Sequence, residues 1–260
     1  MRIEIRAVSA SFKGSTGAVV ALDNVDMGLN DGEFVTIVGP SGCGKTTLLM
    51  IVAGLVTPSA GSVLIDGHPV LGPGPDRGVI FQQYALFPWM TVQDNVEFGL
   101  RVRGMGRRER EEIARHYLKL VGLQDWARSL PKELSGGMKQ RCAVARAYAV
   151  NPSILLMDEP FGALDAMVRA DLQAQLLSVW EAERKTVLFV THDVDEAVFL
   201  GSRVVVMSPG PGRLAAEFAI DLPYPRTQET RLANRFMQLR NEVWRTVRGG
   251  DAAATVPVAP

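Results

Sequence analysis

Gly39-Pro40-Ser41-Gly42-Cys43-Gly44-Lys45-Thr46-Thr47 fits the pattern G-x-x-x-x-G-K-[ST]. Directly ahead of it, Phe34-Val35-Thr36-Ile37-Val38 is short, apolar and β-branched, as a buried strand is. Directly after it, Leu48-Leu49-Met50-Ile51-Val52-Ala53 reads as a buried helix. Strand, glycine loop and helix in that order are the context in which the pattern binds phosphate rather than merely turning the chain.

The residue types follow from that chemistry. Glycines let the backbone wrap tightly enough to aim several N–H groups at phosphate oxygens. The helix starting near Lys45 adds the positive end of its dipole. Lys45 is expected to reach the β- and γ-phosphates and the Thr46 hydroxyl to ligate Mg²⁺. Cys43, beside a helix N-terminus, is expected to favour the thiolate.

The chain of 260 residues is 47% hydrophobic, enough to bury a sizeable core. Lys+Arg and Asp+Glu both number 28, so no charge bias points to nucleic acid. The N-terminus lacks the basic and apolar segments of a signal peptide. The longest uncharged run, Thr46 to Ile65, is broken by Pro58, Ser59, Gly61 and Ser62, so it predicts helix, turn and strand rather than a membrane span. A protein soluble by itself is expected. Two cysteines, Cys43 and Cys142, make no disulfide framework and suit a reducing compartment.

Residues 3–8 alternate like an antiparallel strand, and a second strand is expected around Val19–Leu29 after the Gly14–Gly17 turn. Between them Phe12 is either core or a flat ring for a nucleotide base. Gly61–Ile65 reads as a strand, residues 71–78 as a Gly/Pro-rich loop, and Gly78–Gln83 as a strand carrying Gln82 near its end, where α/β proteins place ligand groups. Residues 88–134 form a helical insert bounded by Pro88 and Pro131. Within it, Arg101 to Arg115 mixes both charge signs at helical spacing, and His116 to Leu123 continues it, as a solvated face does.

Leu134-Ser135-Gly136-Gly137-Met138 opens a helix running through Ala149, with a Ser cap and glycines that suit a second anion site. Ile154-Leu155-Leu156-Met157-Asp158-Glu159 is an apolar strand ending in two carboxylates. Asp158 suits Mg²⁺, and Glu159 suits positioning or deprotonating water. Thr186–Thr191 is another buried strand with His192 at its end, placed for a γ-phosphate contact, and Val204–Met207 is a further strand. A stripe of Leu232, Phe236, Leu239, Val243 and Val247 marks a C-terminal helix within 226–248, followed by an Ala/Pro-rich tail, 249–260, expected to be disordered.

Together these motifs resemble the nucleotide-binding subunit of an ATP-binding cassette (ABC) transporter over about residues 1–225. The resemblance implies an α/β fold: a P-loop NTPase (RecA-like) core with an N-terminal antiparallel β subdomain and a helical subdomain. It assigns residues 39–47 (Gly39, Pro40, Ser41, Gly42, Cys43, Gly44, Lys45, Thr46 and Thr47) to the phosphate loop and Phe12 to the aromatic position against adenine. It also assigns Gln82 to the Q-loop, where it serves catalysis and the metal. Ser135, Gly136 and Gly137 fall in the signature peptide, Asp158 and Glu159 in the Walker B pair, Ala163-Leu164-Asp165 in the D-loop, and His192 at the switch histidine. Met138 stands where the signature usually has Gln. A finer resemblance, carried by Gly72–Val79, Phe87-Pro88-Trp89 and Ser208–Arg213, is to importers of the nitrate, sulfonate and taurine type.

What the resemblance implies is an ATPase using ATP and Mg²⁺. Two copies would sandwich two ATP molecules on polytopic membrane permease subunits at the cytoplasmic face of the membrane, served indirectly by a solute-binding protein. The segment Gln82–Met90, with Tyr84, Phe87 and Trp89, would receive a permease helix. A cassette ATPase of DNA repair or chromosome organisation would need a coiled coil or a basic surface, and a small-molecule kinase would leave Leu134–Met138 and His192 without a role.

Overall fold

The computed structural model describes residues 2–14, 17–162 and 164–249. The chain divides into two compact units. One comprises the residues up to Gly74 together with those from Arg184 onward, and the other runs from Pro75 to Glu183.

In the first unit β1 (Ile3–Gly14) and β2 (Gly17–Leu29) form an antiparallel pair, in which Phe12 lies opposite Val19. β3 (Phe34–Val38) is buried at all five positions and leads into α1 (Lys45–Ala53). β4 (Ala60–Ile65) and β5 (His68–Pro69) extend the β1–β2 pair into a four-stranded sheet ordered β2-β1-β4-β5.

The second unit contains β6 (Arg77–Ile80), α2 (Val92–Val102), α3 (Arg107–Leu120), α4 (Gly136–Ala149), β7 (Ile154–Asp158) and α5 (Ala166–Glu183). β6 and β7 are parallel, with Ile80 opposite Met157. The chain then returns to the first unit with β8 (Thr186–Thr191), α6 (Val194–Leu200), β9 (Arg203–Met207), β10 (Leu214–Ala219) and α7 (Asn234–Gly249). There β3 is flanked in parallel by β8 and β9, and β10 closes the edge antiparallel to β9. Strands buried on both faces read as continuous apolar runs, which is why β3, β8 and β9 carry almost no polar side chains.

Several expectations need correction. The helical pattern from Arg101 onward is two helices, because the chain turns at Gly104, where φ is 75°, and restarts after Gly106. The strand expected over Gly78–Gln83 stops at Ile80, so Gln82 lies in an exposed turn beyond it. Leu232 is not on the face of α7. It ends a 3-10 turn, Gln228–Leu232, and is exposed, whereas Phe236, Leu239 and Val243 are buried. The tail beyond Gly249 lies outside the described residues, as do Ala163 and the two middle residues of the Gly14–Gly17 turn.

Candidate nucleotide site

Strand register in the first unit places the phosphate loop. Val38 pairs with Thr191 on one side and Val206 on the other, so the segments that follow β3, β8 and β9 all leave the same end of the sheet. The loop of residues 39–47, His192 and the Ser208–Arg213 segment are therefore neighbours by topology.

Within the loop Gly42 and Gly44 adopt φ of 80° and 93°, which side-chain-bearing residues seldom do. A side chain at Gly44 would also meet the Ala21 carbonyl at 2.7 Å. The N-cap of α1 is Gly44 itself, and no side chain caps the helix. First-turn N–H groups have no intrahelical acceptor, so a glycine N-cap leaves this end suited to an external anion.

Lys45 is only 5% exposed and folds back over the loop. Its Nζ donates to the carbonyls of Gly39 at 2.8 Å and Pro40 at 3.0 Å, and lies 3.9 Å from Cys43 Sγ. An ammonium has three donors. Two brace the loop, and the third rests on a weak sulfur acceptor that a phosphate oxygen would replace.

Thr46 and His192 are exposed. His192 sits between Thr191, whose hydroxyl accepts from Asp193 N at 3.0 Å, and Asp193, whose carboxylate caps α6 by accepting from Glu196 N. Phe12 is 45% exposed on β1, and its cross-strand partner Val19 on β2 is exposed as well, so one face of the hairpin presents apolar side chains to solvent. Cys43 corrects an expectation: it is buried, and burial pushes its thiol above the ordinary range, outweighing the opposing pull of Lys45.

In the second unit Asp158 is buried at the end of β7, and Glu159 follows with φ of 41°. Gly162 N donates to the Glu159 carbonyl at 3.1 Å, closing a tight turn. Ser135 is the N-cap of α4, and its Oγ accepts from Met138 N at 3.3 Å. The contact at position 138 is made by backbone, so the missing glutamine leaves the cap intact. Gly136 and Gly137 have packing reasons as well. A Cβ at Gly136 would lie 3.2 Å from the Tyr84 hydroxyl, and one at Gly137 would lie 2.6 Å from Val168 Cγ1. Asp165 Oδ1 accepts from Val168 N at 3.0 Å, at the start of α5.

Two residues that hold the loop after β6 carried no sequence signal. Asn95, fully buried on α2, accepts from Phe87 N at 2.8 Å and donates to the carbonyls of Phe87, Met90 and Thr91. Arg146 on α4 donates to the carbonyls of Ala85 at 2.7 Å and Tyr84 at 3.2 Å. Trp89 is left 73% exposed, while Phe87 is half-buried with its ring centroid 4.5 Å from that of Phe98.

These features fit a nucleotide. In the first unit the glycine N-cap and braced lysine suit phosphates and the Thr46 hydroxyl is a hard oxygen donor of the kind Mg²⁺ takes; in the second unit the Asp158 carboxylate is, by itself, another such donor. Among the described residues no three His, Cys, Asp or Glu side chains gather into a metal site of their own. Mg²⁺ commonly takes one or two protein oxygens and completes its shell with phosphate and water.

Residues 22–162 match the ABC transporter family. The chain belongs to that family. A Brucella abortus protein named for ATP binding is 63% identical over 231 residues, covering 89% of each chain. The nitrate import ATP-binding protein of Synechocystis sp. is 46% identical over 265 residues, spanning 100% of both chains. An aliphatic sulfonates import ATP-binding protein of Bacillus cereus is 42% identical over 255 residues, covering 98% of this chain and 99% of that one. Among solved structures, a dimeric ATP-binding cassette in a post-hydrolysis state bound to ADP and Pi matches with a TM-score of 0.76 and 35% identity, over 85% of this chain and 100% of that one. This ABC chain is thus an ATP-binding ATPase with the P-loop NTPase fold, and its relatives favour import over the repair or chromosome reading. Among the described residues no helix is long and apolar enough to cross a membrane.

Proposed function

We propose that this chain hydrolyses ATP to drive import of a small solute of the nitrate, sulfonate or taurine type. It does so as a homodimer docked on membrane-spanning permease subunits at the cytoplasmic face of the membrane. The observation that supports the ATPase reading is the Val38–Thr191 pairing, after which residues 39–47 and His192 follow two neighbouring strands at the same end of the sheet. The solute class is taken from the nitrate and sulfonate relatives. The dimer is taken from the dimeric cassette, and one chain carries one copy of each motif, enough for two sites in a pair. Residues 1–225 serve as the nucleotide-binding domain with its helical insert at 88–134, and α7 follows as an appendage.

Bound Mg-ATP supplies the γ-phosphoryl group and the charge neutralisation for its transfer to water. Residues 39–47 hold the phosphates through backbone N–H groups, with Lys45 adding a fixed positive charge. Thr46, Asp158 and Gln82 would hold the metal. Glu159 would take a proton from, or orient, the attacking water. His192 would donate to the γ-phosphate, Phe12 would stack on the base, and Ser135, Gly136, Gly137 and Asp165 would serve the partner copy's nucleotide.

The test is to purify the chain with the membrane proteins that it retains and to reconstitute them in vesicles. Hydrolysis should rise on adding a solute-binding protein of the same cell loaded with nitrate or an alkanesulfonate. Stimulation by DNA in place of the binding protein, with no permease retained on purification, would overturn the transport reading.

A further inference from the structure

We infer that Gly212 is a positioning residue for the phosphate loop: the Ser208–Arg213 segment is a backstop that fixes the peptide between Cys43 and Gly44. The inference rests on the assignment of residues 39–47 to nucleotide phosphates.

The contact is backbone on backbone. A Cβ built on Gly212 would lie 2.0 Å from the Cys43 carbonyl oxygen and 3.1 Å from the Cys43 carbonyl carbon. The difference is close to the length of the C=O bond, so that bond points at Gly212. A trans peptide is planar, with its C=O and N–H pointing in opposite directions. Holding the Cys43 carbonyl against Gly212 therefore aims the Gly44 N–H away from the segment. Gly44 is the N-cap of α1, so this N–H belongs to the group that faces an anion at the helix start.

The backstop is itself anchored. Gly212 N donates to the Ala21 carbonyl at 2.9 Å, and Asp23 N donates to the Gly212 carbonyl at 3.0 Å, a parallel bridge to Leu22 of β2. Arg213 forms an ion pair with Asp23, and Ser208 N donates to the Arg213 carbonyl at 3.0 Å. Leu22 also presses on the loop from its side: a Cβ on Gly44 would lie 2.6 Å from Leu22 Cδ2. At the other end of the loop, a Cβ on Gly39 would meet the Met207 carbonyl at 2.8 Å. The phosphate loop is thus gripped by β2 and by the end of β9, at glycines where no side chain fits.

Gly212→Ala in the full chain should push the Cys43–Gly44 peptide out of line. The Kd for Mg-ATP should rise roughly ten- to a hundred-fold, as expected for losing one hydrogen bond to a charged group, while the same overpacking lowers the melting temperature of the nucleotide-free protein by only several degrees and leaves it folded at about 25 °C. Gly210→Ala is the control, because its added Cβ meets nothing nearer than the Gly42 carbonyl at 3.9 Å, and it should bind Mg-ATP as wild type does. Lys45→Ala separates the two readings. If Lys45→Ala binds Mg-ATP normally, the phosphate-loop assignment falls. If Lys45→Ala fails to bind while Gly212→Ala binds normally, only the backstop falls. Amide exchange on the wild-type chain reaches the same decision without a variant. Mg-ATP should slow exchange in residues 208–213 along with 39–47, and protection confined to 39–47 would overturn the coupling.

Discussion

The Cys43 thiol lies 3.9 Å from the Lys45 ammonium, yet burial dominates its acidity and pushes its pKa up. The nearby positive charge and the helix start would by themselves favour thiolate. Only the thiolate is alkylated, so the direction of the shift sets the pH dependence. At pH 7 iodoacetamide should modify Cys43 more slowly than a free cysteine. The rate should keep climbing past the pH at which free cysteine, measured alongside, levels off. Mass spectrometry of the peptide over pH 7 to 10 measures it, and a rate at pH 7 matching free cysteine would overturn the prediction.

The parts of this fold that were legible were those with a local signal. β3 and β8 were readable to the residue because each is a short run of β-branched and apolar residues buried throughout. The start of α4 followed from its Ser cap. β10 gave no such signal. Leu214–Ala219 is a partly exposed edge strand with two alanines at its centre, lacking the alternation that marks a half-buried strand. The apolar residues of α5 do not gather on one side, so its length could not be read from a stripe. The candidate site residues all stand inside local motifs, whereas Asn95, Arg146 and Gly212 make their contacts to backbone distant in the chain. No local period reports such contacts.

Gly137 abuts Val168, and the pair allows a size-compensation test. The Cβ of Gly137→Ala would sit 2.6 Å from Val168 Cγ1. Val is stiff at χ1, so the start of α4 must shift. Overpacking of this kind costs about 1–3 kcal/mol, and because it displaces Ser135 the ATPase rate should fall roughly tenfold. Adding Val168→Ala to Gly137→Ala removes the clashing methyl and should restore most of the rate. A double variant no better than Gly137→Ala would show that the glycine acts otherwise than by size.

Arg226 is the buried clamp on the end of α6. Its Nη1 donates to the carbonyls of Val198, Phe199 and Gly201 at 3.1, 2.9 and 2.8 Å, and Nη2 donates to Leu222 at 3.0 Å. Its guanidinium lies 4.0 Å from the Tyr224 ring centroid. These carbonyls have no helical donors left, and a cation there also suits the dipole. Arg226→Ala should destabilise the protein by about 3 kcal/mol, which lowers the melting temperature by roughly 6–12 °C. Arg226→Lys should recover little, because one nitrogen cannot serve both positions. Thermal unfolding followed by circular dichroism decides it, and a loss under 2 °C would rule the clamp out.

Glu159→Gln isolates the chemical step from binding. Glu159 follows β7 in a left-handed conformation, φ 41°, and its carbonyl accepts from Gly162 N, so its side chain starts from a fixed backbone turn. Glutamine keeps the length and the backbone preference but is a poor base. Turnover should fall by at least roughly a hundredfold, the scale of a general base, while the Kd for Mg-ATP stays within about twofold of wild type, because Lys45, Thr46 and Asp158 are untouched. Removing a negative charge from beside the γ-phosphate should also favour closure of two copies over their nucleotides. The variant should therefore run as a dimer on size-exclusion chromatography in Mg-ATP, where wild type hydrolyses its ATP and separates, and Lys45→Ala should stay monomeric. Normal turnover by Glu159→Gln would remove Glu159 from the chemistry. Lost turnover without a nucleotide-dependent dimer would keep the base and discard the two-copy sandwich.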